Sequence, residues 1–349
     1  MQRGYPCRSR WGTAVVGVAL AATACGGSAT PAARTTNRPA PIRSSAQPAA
    51  TASAAPAVDP ASVHADELGT IPVLMYHQLE AKPKGDYDQT PEQFRTELTA
   101  LYAHGYRTIT AADLVAGRVD VPAGKKPMVL TFDDSTVSQF AELPDGSADP
   151  NSAVGILEAV AKAAGEARPV ASFYVNGSPF AGKDAYLTAL HALGMEVAEH
   201  TLTHANLRQL SDAGVQQELA QGQLVITRAV PGVAVTTMAL PFGVLPRNRV
   251  LAAKGSSAGT SYDFAGVLAV GSNPAPSPYA SSFDPMYVPR IRSGRRTGDQ
   301  ALTSTYWLPK LFSGDVRPYI SDGDPAHISF PKSHASRLAP RFAAQARPY

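Results

Sequence analysis

The sequence predicts an α/β fold, a distorted barrel of about seven parallel strands with helices between them. Short apolar runs alternate with segments of helical periodicity over residues 71–291, which is the pattern of a parallel β/α architecture. Polar residues typical of catalytic sites follow two of the apolar runs directly, as expected at the carboxyl ends of barrel strands. Residues 69–349, about 280 in number, match the size of one such barrel. We therefore expect them to form a single domain.

Apolar runs and helical stripes predict the individual elements in chain order. Strands are predicted at 71–77, 106–109, 127–132, 170–175, 195–199, 236–240, 265–270 and 286–291. Helices are predicted between them at 91–104, 111–116, 156–164, 184–193 and 211–228. The pattern weakens after residue 291, where only 328–330 resembles a further strand.

The first helix carries the clearest start and stop signals. Thr90 is a favourable N-cap, Pro91 suits the first helical position, and Gln93 completes a capping box. Gly105 is placed to end the helix. One face of the segment is apolar, with Phe94, Leu98, Leu101 and Tyr102 at helical spacing.

A predicted N-terminal targeting signal precedes the domain. Three arginines within the first ten residues lead into an apolar run at 11–24, which is too short to span a bilayer comfortably. Small residues stand immediately before Cys25, as in a bacterial lipoprotein signal. We therefore expect residues 1–25 to be a lipoprotein-type signal peptide with Cys25 lipidated. Secretion with cleavage after a small residue is the alternative.

The next segment, residues 26–68, is rich in alanine, proline, serine and threonine and has almost no large apolar residue. Such a composition cannot bury enough surface to offset the entropy of ordering, so we expect a disordered tether. Together with the signal, it predicts an extracytoplasmic protein that is held at the cell membrane by a lipid anchor only.

Composition excludes some partners and some sites. The net charge is only +3, and no block of lysine and arginine with interleaved aromatics occurs, so nucleic acid is not expected as a partner. The two cysteines, Cys7 and Cys25, both lie in the predicted signal peptide. The domain therefore has neither a disulfide nor a thiolate metal site. We expect the protein to be a monomer.

Four polar side chains form the candidate site. Asp133 and Asp134 follow the apolar run 128–130, and His200 and His204 follow a second run four residues apart. Two histidines and one carboxylate can bind a divalent metal and leave a position open for water or substrate. Adjacent side chains diverge on a strand, so the second aspartate is free to act as a general base. Taken alone, the same set also fits an iron(II) oxygenase.

These residues carry a family resemblance. Residues 131–134 (TFDD), 200–204 (HTLTH) and 241–243 (PFG) resemble three motifs of the NodB-homology polysaccharide deacetylases, carbohydrate esterase family 4. Residues 72–77 (PVLMYH) are similar to the start of members that act on poly-N-acetylglucosamine. The resemblance covers residues 71–243 and, more weakly, extends to 291.

The resemblance implies a NodB-like barrel and a metal-dependent hydrolase that removes N-acetyl groups from an N-acetylglucosamine-containing polysaccharide and releases acetate. Asp133 would be the general base, and Asp134, His200 and His204 would bind the metal, most often Zn²⁺. The backbone N–H of Phe242 would stabilise the oxyanion. Peptidoglycan and a secreted exopolysaccharide are both possible substrates, and cleavage of an O-acetyl ester stays open.

Two departures from the family pattern bear on catalysis. The arginine that normally stands two residues before the proline of the third motif is replaced by Ala239. The histidine acid of the last motif has no clear counterpart, and His327 is the candidate we assign to that role. His77, at the end of the first strand, either lines the pocket or packs in the core. These departures motivate an alternative function, a catalytically impaired glycan-binding protein on the same fold.

Overall fold

A computed structural model describes residues 58–293 and 303–349. The strands in these ranges are β1 Val73–Tyr76, β2 Tyr106–Ile109, β3 Lys126–Asp133, β4 Ser172–Val175, β5 Glu196–Glu199, β6 Thr237–Ala239, β7 Lys254–Ser257, β8 Thr260–Asp263, β9 Gly266–Leu268, β10 Ile291–Arg292, β11 Ile328–Phe330 and β12 Ala346–Pro348. The α-helices are α1 Pro91–Ala103, α2 Ala111–Ala116, α3 Ala153–Ala163, α4 Ala185–Ala192, α5 Asp212–Ala229 and α6 Ser304–Ser313.

The main sheet confirms the predicted parallel barrel. Its strand order is β10-β1-β3-β4-β5-β6-β9, with β2 also paired to β3, and every pair is parallel. The segment before β10 returns to β9, since Val288 N–H donates to Val267 O at 2.9 Å and Ala269 N–H donates to Val288 O at 2.9 Å. Residues 285–292 thus bridge β9 and β1 and join the two edges of the curved sheet.

The longest strand, β3, shows how side-chain alternation builds the two layers of the core. Met128, Leu130 and Phe132 point outward and pack with residues of α1, α3 and α4. Val129 points inward and packs with interior residues of β4, β5, β6 and β9. With this parity Asp133 also points inward, so the last residue of the strand delivers its carboxylate to the carboxyl end of the barrel.

Helix α1 begins as predicted. The side chain of Thr90 accepts from Gln93 N–H at 3.1 Å, and the side chain of Gln93 accepts from Thr90 N–H at 2.9 Å, so the capping box is formed. Its apolar face, with Phe94, Leu98, Leu101 and Tyr102, is buried against the sheet and α3.

The structure corrects the predicted boundary between tether and domain. Residues 58–68, assigned to the tether from their composition, lie in the folded domain, and Glu67 and Leu68 are buried. The carboxylate of Glu67 accepts from Ser329 N–H at 2.8 Å, a contact between distant parts of the chain. Composition could not indicate it, because the segment is held by hydrogen bonds to distant parts of the chain and by the burial of Leu68, and it has no apolar stripe of its own.

Other differences lie in the second half of the chain. The predicted strand at 328–330 is present as β11 and pairs with β12, which was not predicted. The antiparallel hairpin β7–β8 was also missed. Residues 65–71 and 317–330 cover the end of the barrel where β1 and β3 begin, since Gly124 N–H donates to Ser321 O and Thr70 N–H to Arg317 O.

None of the helices within 58–293 and 303–349 is both long and apolar enough to span a bilayer. Cys7, Cys25, the signal peptide and the tether up to residue 57 lie outside the described residues. Lipidation at Cys25 and an extracytoplasmic location therefore stay predictions.

Candidate metal centre and catalytic cavity

The fold brings the four predicted side chains together at the carboxyl ends of β3 and β5. Asp134 Oδ1 lies 3.5 Å from His200 Nε2 and 3.5 Å from His204 Nε2. One ligand atom from each of these three residues lies within 4.8 Å of the other two. The second aspartate, Asp133, points to the same space, with Oδ2 3.9 Å from His200 Nε2.

This donor set fits a divalent metal ion. At bond lengths of about 2.0–2.2 Å and tetrahedral angles, two ligand atoms stand roughly 3.3–3.6 Å apart, which matches both distances from Asp134. Asp134 Oδ1 and His200 Nε2 are buried and have no hydrogen-bond partner among the described residues. Buried polar atoms without a partner are costly, and a shared cation would satisfy them. Nitrogen and oxygen ligands of this kind suit zinc.

The ring of His200 is oriented for metal binding by a backbone carbonyl. Its Nδ1 lies 2.8 Å from Ala239 O, so Nδ1 carries the proton and donates it to that oxygen. The lone pair of Nε2 is then directed at Asp134. Ala239, the position where the family arginine is absent, thus contributes its main chain to the site.

A buried arginine from another part of the chain replaces the missing one. Arg290, which is fully buried just before β10, donates from Nη1 to Asp133 Oδ1 at 2.7 Å and from Nη2 to Oδ2 at 2.8 Å. Its Nε donates to Ala269 O at 2.8 Å, which fixes the guanidinium plane. Burial alone would raise the pKa of Asp133, but the guanidinium outweighs it and holds this pKa well below its usual range.

Sequence reasoning missed Arg290, although a signal for it existed. Residues 286–291 were predicted as a late strand of the barrel, and a charged side chain inside such a strand needs a buried partner. What the sequence did not indicate was that residues 285–292 lie next to β1 and β9, and therefore that the partner is Asp133.

A third imidazole, that of His77, lines the cavity together with the rings of His200 and His204. It follows β1, lines the same cavity as Asp133 and Asp134, and stacks on Tyr87 with 5.0 Å between ring centroids. Its Nδ1 is buried and unpartnered among the described residues. Burial lowers the pKa of His77 against the opposing pull of both aspartates, so a proton on this ring is donated more readily.

The structure does not bring His327 to the site. Its side chain is about half exposed, its Nδ1 lies 2.7 Å from Asp324 Oδ2, and it does not line the cavity. His334 is also directed elsewhere, with Nδ1 3.0 Å from Asp66 Oδ2. The position of His327 therefore does not fit the assignment of the acid to it, because the region after residue 317 covers the opposite end of the barrel, whereas His77 lines the cavity.

The cavity over the site has a volume of about 260 Å³. Its polar lining is the set already described, and its apolar wall consists of Met75, Leu240 and Val270. Phe242 stands at the rim with 61% of its surface exposed and its ring 4.7 Å from that of His204. The cavity is open to solvent on this side and closed by apolar side chains below.

Unusual backbone conformations concentrate at the site. Asp134, Thr201, His204 and Phe242 all have positive φ, between +55° and +73°. Such conformations cost on the order of 1–3 kcal/mol each in residues other than glycine and persist only where the surroundings enforce them. This arrangement is typical of a functional centre.

Comparison with known proteins agrees with the geometry. Residues 120–260 match the family model described as polysaccharide deacetylase. Among solved structures, a deacetylase of Streptococcus pyogenes, PplD, in complex with acetate, is 18% identical with a TM-score of 0.51, over 67% of this chain and 96% of that one. A polysaccharide deacetylase of Bacillus cereus is 18% identical with a TM-score of 0.50, over 69% of each chain. At this identity the likeness establishes the fold. A comparison with curated protein sequences finds no match.

Proposed function

We propose that the chain is a zinc-dependent deacetylase of an N-acetylglucosamine-containing polysaccharide, a hydrolase that acts on N-acetyl amide bonds. The match of residues 120–260 to the polysaccharide deacetylase family model supports the proposal. The observation that carries the proposal is one cavity with two separate parts. Three residues form the metal-ligand set: Asp134, His200 and His204. Asp133 lies beside this set, is bound by Arg290, and is not itself a metal ligand.

Asp134, His200 and His204 would hold the metal ion, which would supply Lewis-acid polarisation of the acyl carbonyl and of a water molecule when bound. Asp133 accepts the proton of the attacking water. Its bidentate contact with Arg290 occupies one lone-pair position on each oxygen, and a carboxylate has about four. Oδ2 therefore keeps acceptor capacity on the side that faces His200. Because the pKa of Asp133 is low, the proton leaves it again for a more basic group, the leaving amine or the ring of His77.

The leaving amine needs a proton, and His77 is placed to donate it. The backbone N–H of Phe242, in a turn with φ of +58°, is offered to the oxyanion as the tetrahedral intermediate forms. The apolar wall of Met75, Leu240 and Val270 suits the methyl of an acetyl group. Products are acetate and a free amine on the sugar.

The substrate and location are proposed on the N-terminal sequence. A lipid on Cys25 and a tether up to residue 57 keep the enzyme outside the cytoplasm and within reach of peptidoglycan or a secreted exopolysaccharide. We propose a monomer that touches the membrane through its anchor. The alternative, a glycan-binding protein without turnover, loses its main motivation because Arg290 takes the place of the absent arginine and His77 that of the acid.

The test is acetate release from N-acetylglucosamine oligomers by the purified protein. We expect release that is abolished by a chelator, restored by zinc, and lost in His200→Ala and Asp133→Asn. O-acetylated xylan and an N-propionyl oligomer, offered in parallel, probe the ester alternative and the size of the acyl pocket. Binding of the oligomers without acetate release, unchanged by Asp133→Asn, would support the binding protein instead.

A further inference from the structure

The turn that carries both histidine ligands, residues 200–204, is held from behind by two glutamates that do not touch the cavity. Glu199 is the last residue of β5, and Glu218 lies on α5, the helix that packs against this strand. Neither residue belongs to the ligand set or to the catalytic groups described above. Both bind backbone N–H groups of the turn.

Glu199 is fully buried on the outer face of the barrel, beneath α5. Because side chains alternate along β5, His200 points into the cavity and Glu199 points away from it. Glu199 Oε1 accepts from Thr201 N–H at 2.8 Å, while Oε2 has no hydrogen-bond partner among the described residues. A carboxyl group in such a place is costly, so a role for it is to be expected.

Helix α5 leaves a space that the carboxyl of Glu199 fills. A Cβ atom added at Gly222 would lie 2.3 Å from Glu199 Oε1 and 2.8 Å from Oε2. Any larger residue at position 222 must therefore displace the glutamate. The glycine is in the middle of a helix, where it costs stability relative to alanine, and the position of Glu199 gives a reason for it.

Glu218 holds the other half of the turn. Its carboxylate accepts from Thr203 N–H at 2.8 Å and from Thr203 Oγ1 at 2.9 Å, and its backbone oxygen accepts from Leu202 N–H at 3.2 Å. Thr201, between the two glutamates, has φ of +65°, and His204 has φ of +55°. Four hydrogen bonds thus fix a turn whose conformation is unfavourable by itself.

We propose that Glu199, assisted by Glu218, is a positioning residue of the metal centre. By holding the 200–204 turn against α5, it keeps His204 Nε2 at ligand distance from Asp134 before any ion binds. The inference rests on the metal site of the proposed function and extends it to residues that lie outside the cavity. Residues that orient metal ligands typically change metal affinity by about 10–100-fold when they are replaced.

The experiment measures zinc affinity of the full chain by competition with a chromophoric chelator, independently of acetate release. We expect Glu199→Ala to weaken zinc binding by about tenfold or more. Glu199→Gln should stay close to the original protein, because its amide oxygen can accept the same bond from Thr201. Glu218→Ala, at a more exposed position, should weaken zinc binding less.

Helix α5 offers a matched pair of glycine variants. Gly222→Ala leaves the glutamate in the sequence but pushes its carboxyl away, so we expect a loss of zinc affinity similar to that of Glu199→Ala. Gly214→Ala lies in the same helix, where the added Cβ meets its nearest neighbour at 3.4 Å. It should leave zinc affinity unchanged. If Glu199→Ala does not fold, Gly222→Ala and Glu218→Ala carry the test.

The outcomes separate the two proposals. Absence of zinc binding by the unaltered protein would overturn the metal site itself. Zinc binding by the unaltered protein that is unchanged in Glu199→Ala, Gly222→Ala and Glu218→Ala would overturn the positioning role alone. The role is also overturned if Glu199→Gln loses as much affinity as Glu199→Ala. A purely structural role would lower the thermal stability of the metal-free variants in step with their affinity, so both are measured.

Discussion

At the scale of single residues, the central feature is the buried pair of Asp133 and Arg290. Two parallel hydrogen bonds join the charges, and both side chains are buried at the floor of the cavity. A buried pair of this kind adds little over a well-packed apolar pair, but removal of one partner leaves an uncompensated charge. The pair is therefore sensitive to single substitutions and is maintained by function rather than by stability alone.

We predict that Arg290→Leu destabilises the fold by roughly 3–5 kcal/mol and abolishes acetate release. Arg290→Lys should also lose most activity, since a lysine cannot form the bidentate contact that fixes Asp133. Urea unfolding and acetate release of the same preparations separate the two effects. A fully active Arg290→Leu protein would contradict the role assigned to this arginine.

His77 gives a second prediction. His77→Ala should lower kcat by about 10²–10⁴-fold, the usual contribution of a general acid, while zinc affinity stays near its original value. His327→Ala is the control, because that side chain is directed at Asp324 far from the cavity, and it should keep full activity. An unchanged kcat in His77→Ala would contradict the role of general acid assigned to this imidazole.

The residues that were predicted and those that were missed differ in a physical way. Asp133, Asp134, His200 and His204 lie next to apolar runs, so their place at strand ends could be predicted from local pattern. Arg290 reaches the site through strand order, which depends on pairings between distant segments. The same pairings place His77 in the cavity, where the sequence had left both pocket and core open. Local pattern cannot specify those pairings, and the resemblance to the deacetylase motifs led to His327 as the candidate for the acid.

At the scale of elements, sequence prediction worked best where one element carries its own signals. Helix α1 has a cap, a proline and an apolar face in one continuous stretch, and its start was predicted to the residue. Strand β10 is the opposite case. Only Ile291–Arg292 pairs with β1, while Val288 bonds to β9. The predicted strand 286–291 is in reality a bridge between two strands, which no periodicity reveals.

The cap of α1 can be tested by itself. Thr90→Ala removes the acceptor for Gln93 N–H and should destabilise the protein by about 1 kcal/mol, without changing kcat. Thr96→Ala, on the exposed face of the same helix, has no such role and should be neutral or slightly stabilising. Urea unfolding of both variants measures the difference. A cost for Thr96→Ala as large as for Thr90→Ala would indicate that the cap contributes nothing of its own.

At the scale of the whole molecule, one carboxyl group ties the start of the domain to its end. Glu67 accepts from Ser321 and Ser329, and Asp322 lies close to it with 2% of its surface exposed. Burial, and then the neighbouring Asp322, raise the pKa of Glu67 to about 8. The network makes the stability of the whole domain dependent on pH.

The direction in which stability changes with pH follows from proton binding by Glu67. The unfolded chain releases the proton of Glu67 near its ordinary pKa of 4.5, and the folded protein keeps it up to about pH 8. The stability conferred by the protonated group is fully present below pH 4.5 and is lost as the pH rises to about 8, by up to about 1.4 kcal/mol per pH unit. Urea unfolding between pH 5 and 9 should show this slope. Glu67→Gln, which cannot ionise, should not.

The contacts of residues 58–71 with the end of the chain have a practical consequence. Tyr349 Oη donates to Ala65 O at 2.8 Å, so both ends of the domain meet at the end of the barrel where β1 and β3 begin. The cavity lies at the opposite, carboxyl end of the barrel. A linker attached to either end would leave the cavity unobstructed, and the domain could be fixed to a solid support, or fused to a partner, through whichever end is convenient.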